Sequence, residues 1–312
     1  MLMINKKSKI YIAGHRGMVG SSLVRLFKKK NFQNIITKTR KQLDLTDQKK
    51  TYKFLNLTKP DVIIIAAAKV GGIYANNEFR ADFLFQNLQI QNNLINGGYL
   101  AGVKKIIFLG SSCIYPRVCK QPIKEEYLLT APLEYTNEPY ALAKIAGVKL
   151  IENYNKQFKT NYLCLMPCNL YGPNDNYNLE TSHFLPALLK KIHYAKINNK
   201  KSVLLWGTGS PKRELMHVND LSGACIYFMN KKTNHSYINI GSEEEFTIKQ
   251  YAKIISKMIG YSGKIKFDPK MPDGTPRKLL DCSLAKSYGW ESKISLLFGL
   301  KDAYEDYLKN TF

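Results

Sequence analysis

Long hydrophobic runs are missing. The longest purely apolar stretch is residues 62–68, far short of the roughly 20 residues a membrane-spanning helix requires, so a bilayer-spanning chain is not expected. A secretory leader is not expected either: Met1-Leu2-Met3-Ile4-Asn5-Lys6-Lys7 places its basic residues after a very short apolar stretch, the wrong order and length for such a signal. A cytoplasmic location is the expectation. Cysteine is present without pattern. Cys113, Cys119, Cys164, Cys168, Cys225 and Cys282 show neither a paired CxxC spacing nor the density of a disulfide scaffold, so reduced, packed thiols and no zinc site are expected. Internal repeats and low-complexity linkers do not occur.

Acidic residues are scarce: 24 Asp and Glu stand against 47 Lys and Arg, a formal charge of +23. Clustered cations would mark a phosphate-binding face. Here the excess is diffuse, mostly lysine, and often set beside Asn and Ile, as in residues 196–201. The expectation is a solvated basic surface that favours anionic ligands in general, with no dedicated nucleic-acid partner.

What is present points to an α/β protein. Short β-rich runs at 9–13, 35–38, 61–67, 104–109 and 162–166 alternate with amphipathic stretches at 18–29, 47–57, 83–100 and 139–158. This order predicts βαβ units and a Rossmann-type doubly wound parallel sheet. Past about residue 173 the regularity loosens, with helices expected at 182–195, 218–229 and 248–259 and a strand at 202–206. The expected division is a dinucleotide-binding domain over 1–173 and a smaller α/β substrate-binding lobe over 174–312, some segments of which can return to extend the first sheet.

The first strand runs directly into Gly14-His15-Arg16-Gly17-Met18-Val19-Gly20 and then a helix. In that context the glycines serve a tight turn, close approach of backbone N–H groups to a pyrophosphate, and tight helix–strand packing. An acidic residue after the second strand would receive the ribose of NAD; the segment instead reads Thr37-Lys38-Thr39-Arg40. Arg16 and Arg40 offer planar, charge-matched partners for a 2′-phosphate, which predicts NADPH.

Tyr140 and Lys144 stand four residues apart, about one helical turn, so both project from one face. A neighbouring cation stabilises a phenolate and brings a tyrosine toward a useful acid–base range. The run Leu109-Gly110-Ser111-Ser112-Cys113-Ile114-Tyr115-Pro116 follows the fourth strand, where the carboxyl ends of a parallel sheet form the binding crevice.

Six segments, GHRGMVG (14–20), AAAKVGGI (66–73), GSSCIYP (110–116), NEPYALAKIAG (137–147), NLYGP (169–173) and DGTPRKLLD (273–281), carry a resemblance over nearly the whole chain. The chain resembles the extended short-chain dehydrogenases and, at finer grain, the GDP-L-fucose synthases, which are GDP-4-keto-6-deoxy-D-mannose epimerase–reductases. That resemblance implies that a C4 ketone acidifies the C3 and C5 protons, which are exchanged between faces before hydride reaches C4. It makes Cys113 the base and His183 the acid for epimerisation, and Tyr140 the proton donor in reduction, helped by Ser111 and Lys144. It extends the NADP(H) site to Leu109, Gly110, Ser111, Ser112, Lys144, Pro167, Cys168, Asn169, Leu170 and His183. For the nucleotide end of the substrate it points to Lys191, Trp206, Arg213 and Asp273, with Lys191 where the family carries arginine. It also implies a homodimer, through helices that include 139–158.

Read without the resemblance, Cys113 is a packed thiol and His183 a capping or packing residue. His15 lies in the glycine turn, His217 follows Glu214-Leu215-Met216, and His193 and His235 have no partner evident in the sequence. No metal site is expected. A related GDP-sugar reductase acting on a 6-deoxy-heptose, a nucleotide-sugar 4-epimerase and a noncatalytic NADP-binding regulator remain as alternatives.

Overall fold

The computed structural model describes residues 4–179, 181–271 and 273–311. The chain begins as β1 (Lys9–Ala13), α1 (Met18–Lys29), β2 (Asn34–Ile36), α2 (Gln48–Thr58), β3 (Val62–Ile65), α3 (Ile73–Glu78), α4 (Arg80–Leu100), β4 (Lys105–Leu109), α5 (Glu138–Phe158) and β5 (Leu163–Pro167). It continues through β6 (Asn169–Tyr171), α6 (Phe184–Ile197), β7 (Ser202–Trp206), β8 (Lys212–His217), α7 (Val218–Met229) and β9 (Tyr237–Ile240). The last elements are β10 (Glu245–Thr247), α8 (Ile248–Ile259), β11 (Lys264–Asp268), β12 (Arg277–Lys278), α9 (Ser283–Ser287) and α10 (Leu296–Thr311).

The main sheet has six parallel strands in the order β2-β1-β3-β4-β5-β9. Its central strands are apolar along their length and buried on both faces, Val62–Ile65 and Ile106–Phe108 fully so, because helices cover both sides of a parallel sheet. The order changes direction between β1 and β3, which opens a crevice beyond their carboxyl ends.

Helices 18–29, 218–229 and 248–259 and strand 202–206 have the bounds that periodicity predicts. The strand expected at 61–67 stops at Ile65 instead. After one further sheet contact, Ala66 N–H to the Ala13 carbonyl at 3.1 Å, the chain packs its backbone against Gly14, where a Cβ would come within 2.6 Å of the Ala67 nitrogen.

After β5 the chain leaves the main sheet and returns. Helix α7 packs on α1, with Ser22 and Ser222 hydroxyls 2.7 Å apart, and β9 then pairs with β5. The second layer centres on β8, flanked by β10, β12 and β6, with β7 and β11 as a separate parallel pair. Its own apolar core joins α6, α8 and α10, including Leu189, Ile192, Tyr251, Ile255 and Leu300. Glu214 pins this layer: its buried carboxylate accepts the N–H groups of Glu243 and Leu280 at 2.8 and 2.9 Å. Burial pushes that carboxyl up to about 7 against those hydrogen bonds.

Lys105 opens β4 with its side chain buried, its ammonium on Asn161 Oδ1 at 3.2 Å and the Lys231 carbonyl at 3.4 Å. Burial without a counter-charge pulls it down to about 7. Between that value and the ordinary lysine value the unfolded chain binds the extra proton, so this group makes stability rise with pH across the window. Lys105→Met should raise stability at pH 7 by ~2 kcal/mol, a discounted share of the burial cost, and flatten the rise between about pH 7 and 10. Urea denaturation across pH measures both; an unchanged slope with pH in the variant would refute the assignment.

Candidate active site

Five loops meet beyond the carboxyl ends of the main sheet and line one cleft of about 890 Å³. They follow β1, β2, β3, β4 and β5, and helices α5 and α6 close the far wall. In the first loop Gly14 takes φ +85°, and a Cβ on Gly20 would collide with the Gly14 carbonyl. Gly17 caps α1 without any side-chain bond, so bare backbone from Gly14 to Gly20 faces the cleft at a helix N-terminus. That is a surface an anionic diphosphate fits. At the rim, Lys38, Thr39, Arg40 and Lys41 join Arg16. Arg40 is exposed and leans on Asp44 at 3.4 Å, a contact of little energetic weight that leaves its guanidinium accessible.

Ser111, Cys113, Tyr140, Lys144 and His183 all line this cleft, as do Leu109, Gly110, Pro167, Cys168, Asn169 and Leu170. Ser112 does not; it is buried and faces a small pocket behind Cys113. The Ser111 hydroxyl accepts the Cys113 N–H at 3.2 Å, shaping the 3-10 turn that presents the thiol.

Lys144 is buried and donates to the Leu109 carbonyl at 2.7 Å, its nitrogen 4.6 Å from the centre of the Phe108 ring and 5.7 Å from that of Tyr140. Burial pulls the ammonium down to about 8. The Tyr140 phenol, in contrast to the lowering expected from its spacing to Lys144, is pushed above its ordinary value by burial, with Cys113 adding to the effect. Burial decides the direction, and the Lys144 ammonium, turned to a main-chain carbonyl, does not offset it, so the phenol is a protonated donor at neutral pH.

His183 is the N-cap residue of α6 and makes no capping bond with its side chain. The ring is open to the water of the cleft yet hemmed in by protein; burial lowers its pKa, and Lys278 lowers it further. Eight residues on, α6 carries Lys191, whose nitrogen lies 4.8 Å from the exposed Trp206 ring. At the end of β7, Gly207 packs against Asp273, whose carboxylate accepts the N–H and the hydroxyl of Thr208, both at 2.7 Å. Asp273 also faces Arg213, whose own pKa is lowered by burial. Lys191, Trp206, Arg213 and Asp273 thus gather in the second layer, outside the main cleft.

Periodicity did not single out Lys278, Asn137, Thr181, Ser182 or Asp175. The last four line the main cleft; Lys278 reaches Cys113 from β12. Lys278 was legible only as part of the DGTPRKLLD segment. The remaining histidines find partners from distant parts of the chain: His193 Nδ1 meets the Tyr304 hydroxyl at 2.8 Å, His235 Nδ1 meets the Tyr288 hydroxyl at 2.9 Å, and His217 faces Asp302 at 3.2 Å. Among the described residues no group of three or more His, Cys, Asp or Glu is placed to hold a metal ion, and no helix is long and apolar enough to cross a membrane.

A parallel sheet with a bare glycine turn at its switch point and a Tyr–Lys pair in the same cleft defines a dinucleotide-dependent oxidoreductase of the short-chain type. The chain belongs to the NAD dependent epimerase/dehydratase family, which matches residues 10–241. It is 51% identical over 308 residues to GDP-L-fucose synthase 1 of Arabidopsis thaliana, covering 99% of this chain and 95% of that one. It is 45% identical to GDP-L-fucose synthase of Escherichia coli K12, covering 97% and 98%. Among solved structures, a GDP-mannoheptose C4 reductase from Campylobacter jejuni with NADP bound superposes with a TM-score of 0.91 at 40% identity, covering 98% of this chain and 99% of that one.

Proposed function

We propose that this chain is an NADPH-dependent enzyme that converts GDP-4-keto-6-deoxy-D-mannose to GDP-L-fucose by epimerisation at C3 and C5 and reduction at C4. The observation that carries this reading is the convergence of Cys113, His183, Tyr140, Ser111 and Lys144 on one cleft beside the glycine turn. A dehydrogenase needs only the last three, and the thiol and imidazole add a base and an acid for carbon.

In this reading Cys113 Sγ takes the proton from the carbon next to the ketone, and the electron pair moves onto the C4 oxygen. His183 returns a proton to the opposite face. The thiol then holds a proton and the imidazole lacks one, so a proton must pass back through the solvent of the cleft before the second centre reacts. Ser111 and Tyr140 hydrogen-bond the C4 oxygen, and Tyr140 protonates it as the alcohol forms. The nicotinamide, when bound, supplies the hydride to C4. Lys144 reaches the nicotinamide ribose. Lys191 and Arg213 meet the diphosphate and Trp206 covers an apolar ring face, with Asp273 beside them. The lobe from residue 174 onward supplies this nucleotide end, while segment 218–240 completes the cofactor sheet.

Product analysis tests the reading: with NADPH and GDP-4-keto-6-deoxy-D-mannose the product should be GDP-L-fucose with one NADPH consumed per sugar. A second reading has support in the 40% identity to a GDP-heptose reductase. Turnover of a GDP-4-keto-heptose and none of the mannose derivative would favour it.

Arg16 and Arg40 carry the choice of NADPH over NADH. Arg40→Ser should raise the KM for NADPH by about 10- to 100-fold, the equivalent of losing one charge-assisted phosphate contact, and leave that for NADH unchanged. Equal changes for both cofactors would sink this assignment. The enzyme is read as a cytoplasmic homodimer joined through α4 and α5, whose exposed Phe85, Leu142 and Phe158 offer apolar surface; sedimentation at the mass of one chain would overturn the pairing.

A further inference from the structure

We propose that Lys278 is a positioning residue for proton transfer at this site: its ammonium favours the thiolate of Cys113 and makes the His183 imidazolium a stronger acid. This rests on the reading of Cys113 and His183 as base and acid.

The placement of Lys278 is over-determined by backbone. It ends β12, in parallel register with β8 and opposite Arg213. The next residue, Leu279, is nine-tenths buried and donates its N–H to Gln121 Oε1 at 2.9 Å, and its carbonyl accepts the Ile123 N–H at 2.7 Å. Leu280 donates to the buried Glu214 carboxylate at 2.9 Å. Held on this side by two residues in succession, the Lys278 side chain reaches Cys113, where Nζ donates to Sγ at 3.5 Å.

Other ionisable groups stand around the thiol. Tyr140 faces it from α5. Arg117, Glu134 and Arg277 line the small pocket it shares with Lys278. The Glu134 carboxylate is taken by Thr136 and Asn137, and Arg277 is paired with Glu245 at 2.7 Å. Cys119 also lies within the field of Lys278. Among the described residues no carboxylate pairs with Lys278, and the Cys113 sulfur accepts its hydrogen bond. From the other side, the same ammonium disfavours the imidazolium of His183.

A single cation that favours the thiolate and disfavours the imidazolium has a distinctive signature. Its removal moves the titration of both groups to higher pH. Breaking a direct Cys–His ion pair would instead move them in opposite directions.

The test uses the full-length protein and the variants Lys278→Met, Lys278→Gln and Lys278→Arg, with NADPH binding reporting that each is folded. Alkylation of Cys113 by iodoacetamide is followed against pH and located by peptide mass spectrometry. The expected result is an alkaline shift of about one pH unit in Lys278→Met and Lys278→Gln, with about tenfold slower alkylation at pH 7, and a wild-type midpoint in Lys278→Arg. Both limbs of the pH profile for proton exchange at C3 and C5 should move alkaline together. An unchanged alkylation midpoint in the methionine and glutamine variants would overturn the proposal, as would a shift that arginine fails to restore or limbs that move apart. Alkylation needs no substrate. Wild-type protein that shows the lysine-dependent midpoint but exchanges no sugar protons would therefore refute the assigned reaction and leave the lysine–thiol pairing standing.

Discussion

Replacing Cys113 with serine lowers solvent-deuterium incorporation at C3 and C5 by about 10³-fold, within the range that a positioned general base contributes, while NADPH binding is retained. The hydroxyl keeps the shape of the thiol and stays beside Lys278, but it does not ionise near neutral pH as a thiol can. The fold does not depend on the change: Cys113 is only half-buried, its turn is held by the Ser111 hydroxyl on its N–H, and Ile114 beyond it stays in the core. Mass spectrometry of the sugar recovered from D2O reads the result. Exchange at the wild-type rate in Cys113→Ser would remove the thiol from the reaction.

Tyr140→Phe has the complementary outcome. NADPH oxidation with the keto sugar should fall by about 10²- to 10³-fold, because the alkoxide forming at C4 loses its proton donor, while deuterium still enters at C3 and C5. The phenol is pushed up by burial, so it remains protonated through the neutral range and serves as an acid there. Below about 8 the Lys144 ammonium keeps its charge, and above it the cation proposed to meet the nicotinamide ribose is lost. Reduction in the wild type should therefore decline on the alkaline side. Parallel loss of exchange and hydride transfer in Tyr140→Phe would show that one residue serves both steps and would break the division of labour with Cys113.

The two variants divide the cleft along a line that is also visible in its construction. Tyr140 and Lys144 sit on one face of α5, a helix whose buried side includes Ala141, Ala143, Ile145 and Val148. Cys113 and His183 come from loops, one after β4 and one before α6, and a third element, β12, brings Lys278 to them. Of the residues proposed for reduction, Tyr140 and Lys144 share one rigid helix and Ser111 joins them from the loop after β4, whereas the proposed epimerisation chemistry requires three parts of the chain to be in register.

Local pattern was enough for the first half of the fold. The glycine turn, the apolar strands and the helices at 18–29 and 139–158 are set by interactions within a few residues, and the period of the side chains reports them directly. Short strands escaped. Segment 169–171 is too short for alternation to show, 212–217 lacks alternation because it buries the polar Glu214 and His217, and Tyr237–Ile240 becomes a strand only because α7 packs on α1 and delivers it to the open edge of β5. Trp206, Arg213 and Asp273 are brought together by the turn after β7, a feature that single-residue identities do not encode.

By itself the sequence determined the alternation of strands and helices, the phosphate turn and the one-turn spacing of Tyr140 and Lys144, since each depends on residues near one another along the chain. Tertiary structure alone decided that the Lys144 ammonium turns to Leu109, that the Tyr140 phenol stays protonated, and that Lys278 meets Cys113 across 165 residues of chain. Burial and charge proximity act through space, and their partners are chosen by how the layers pack.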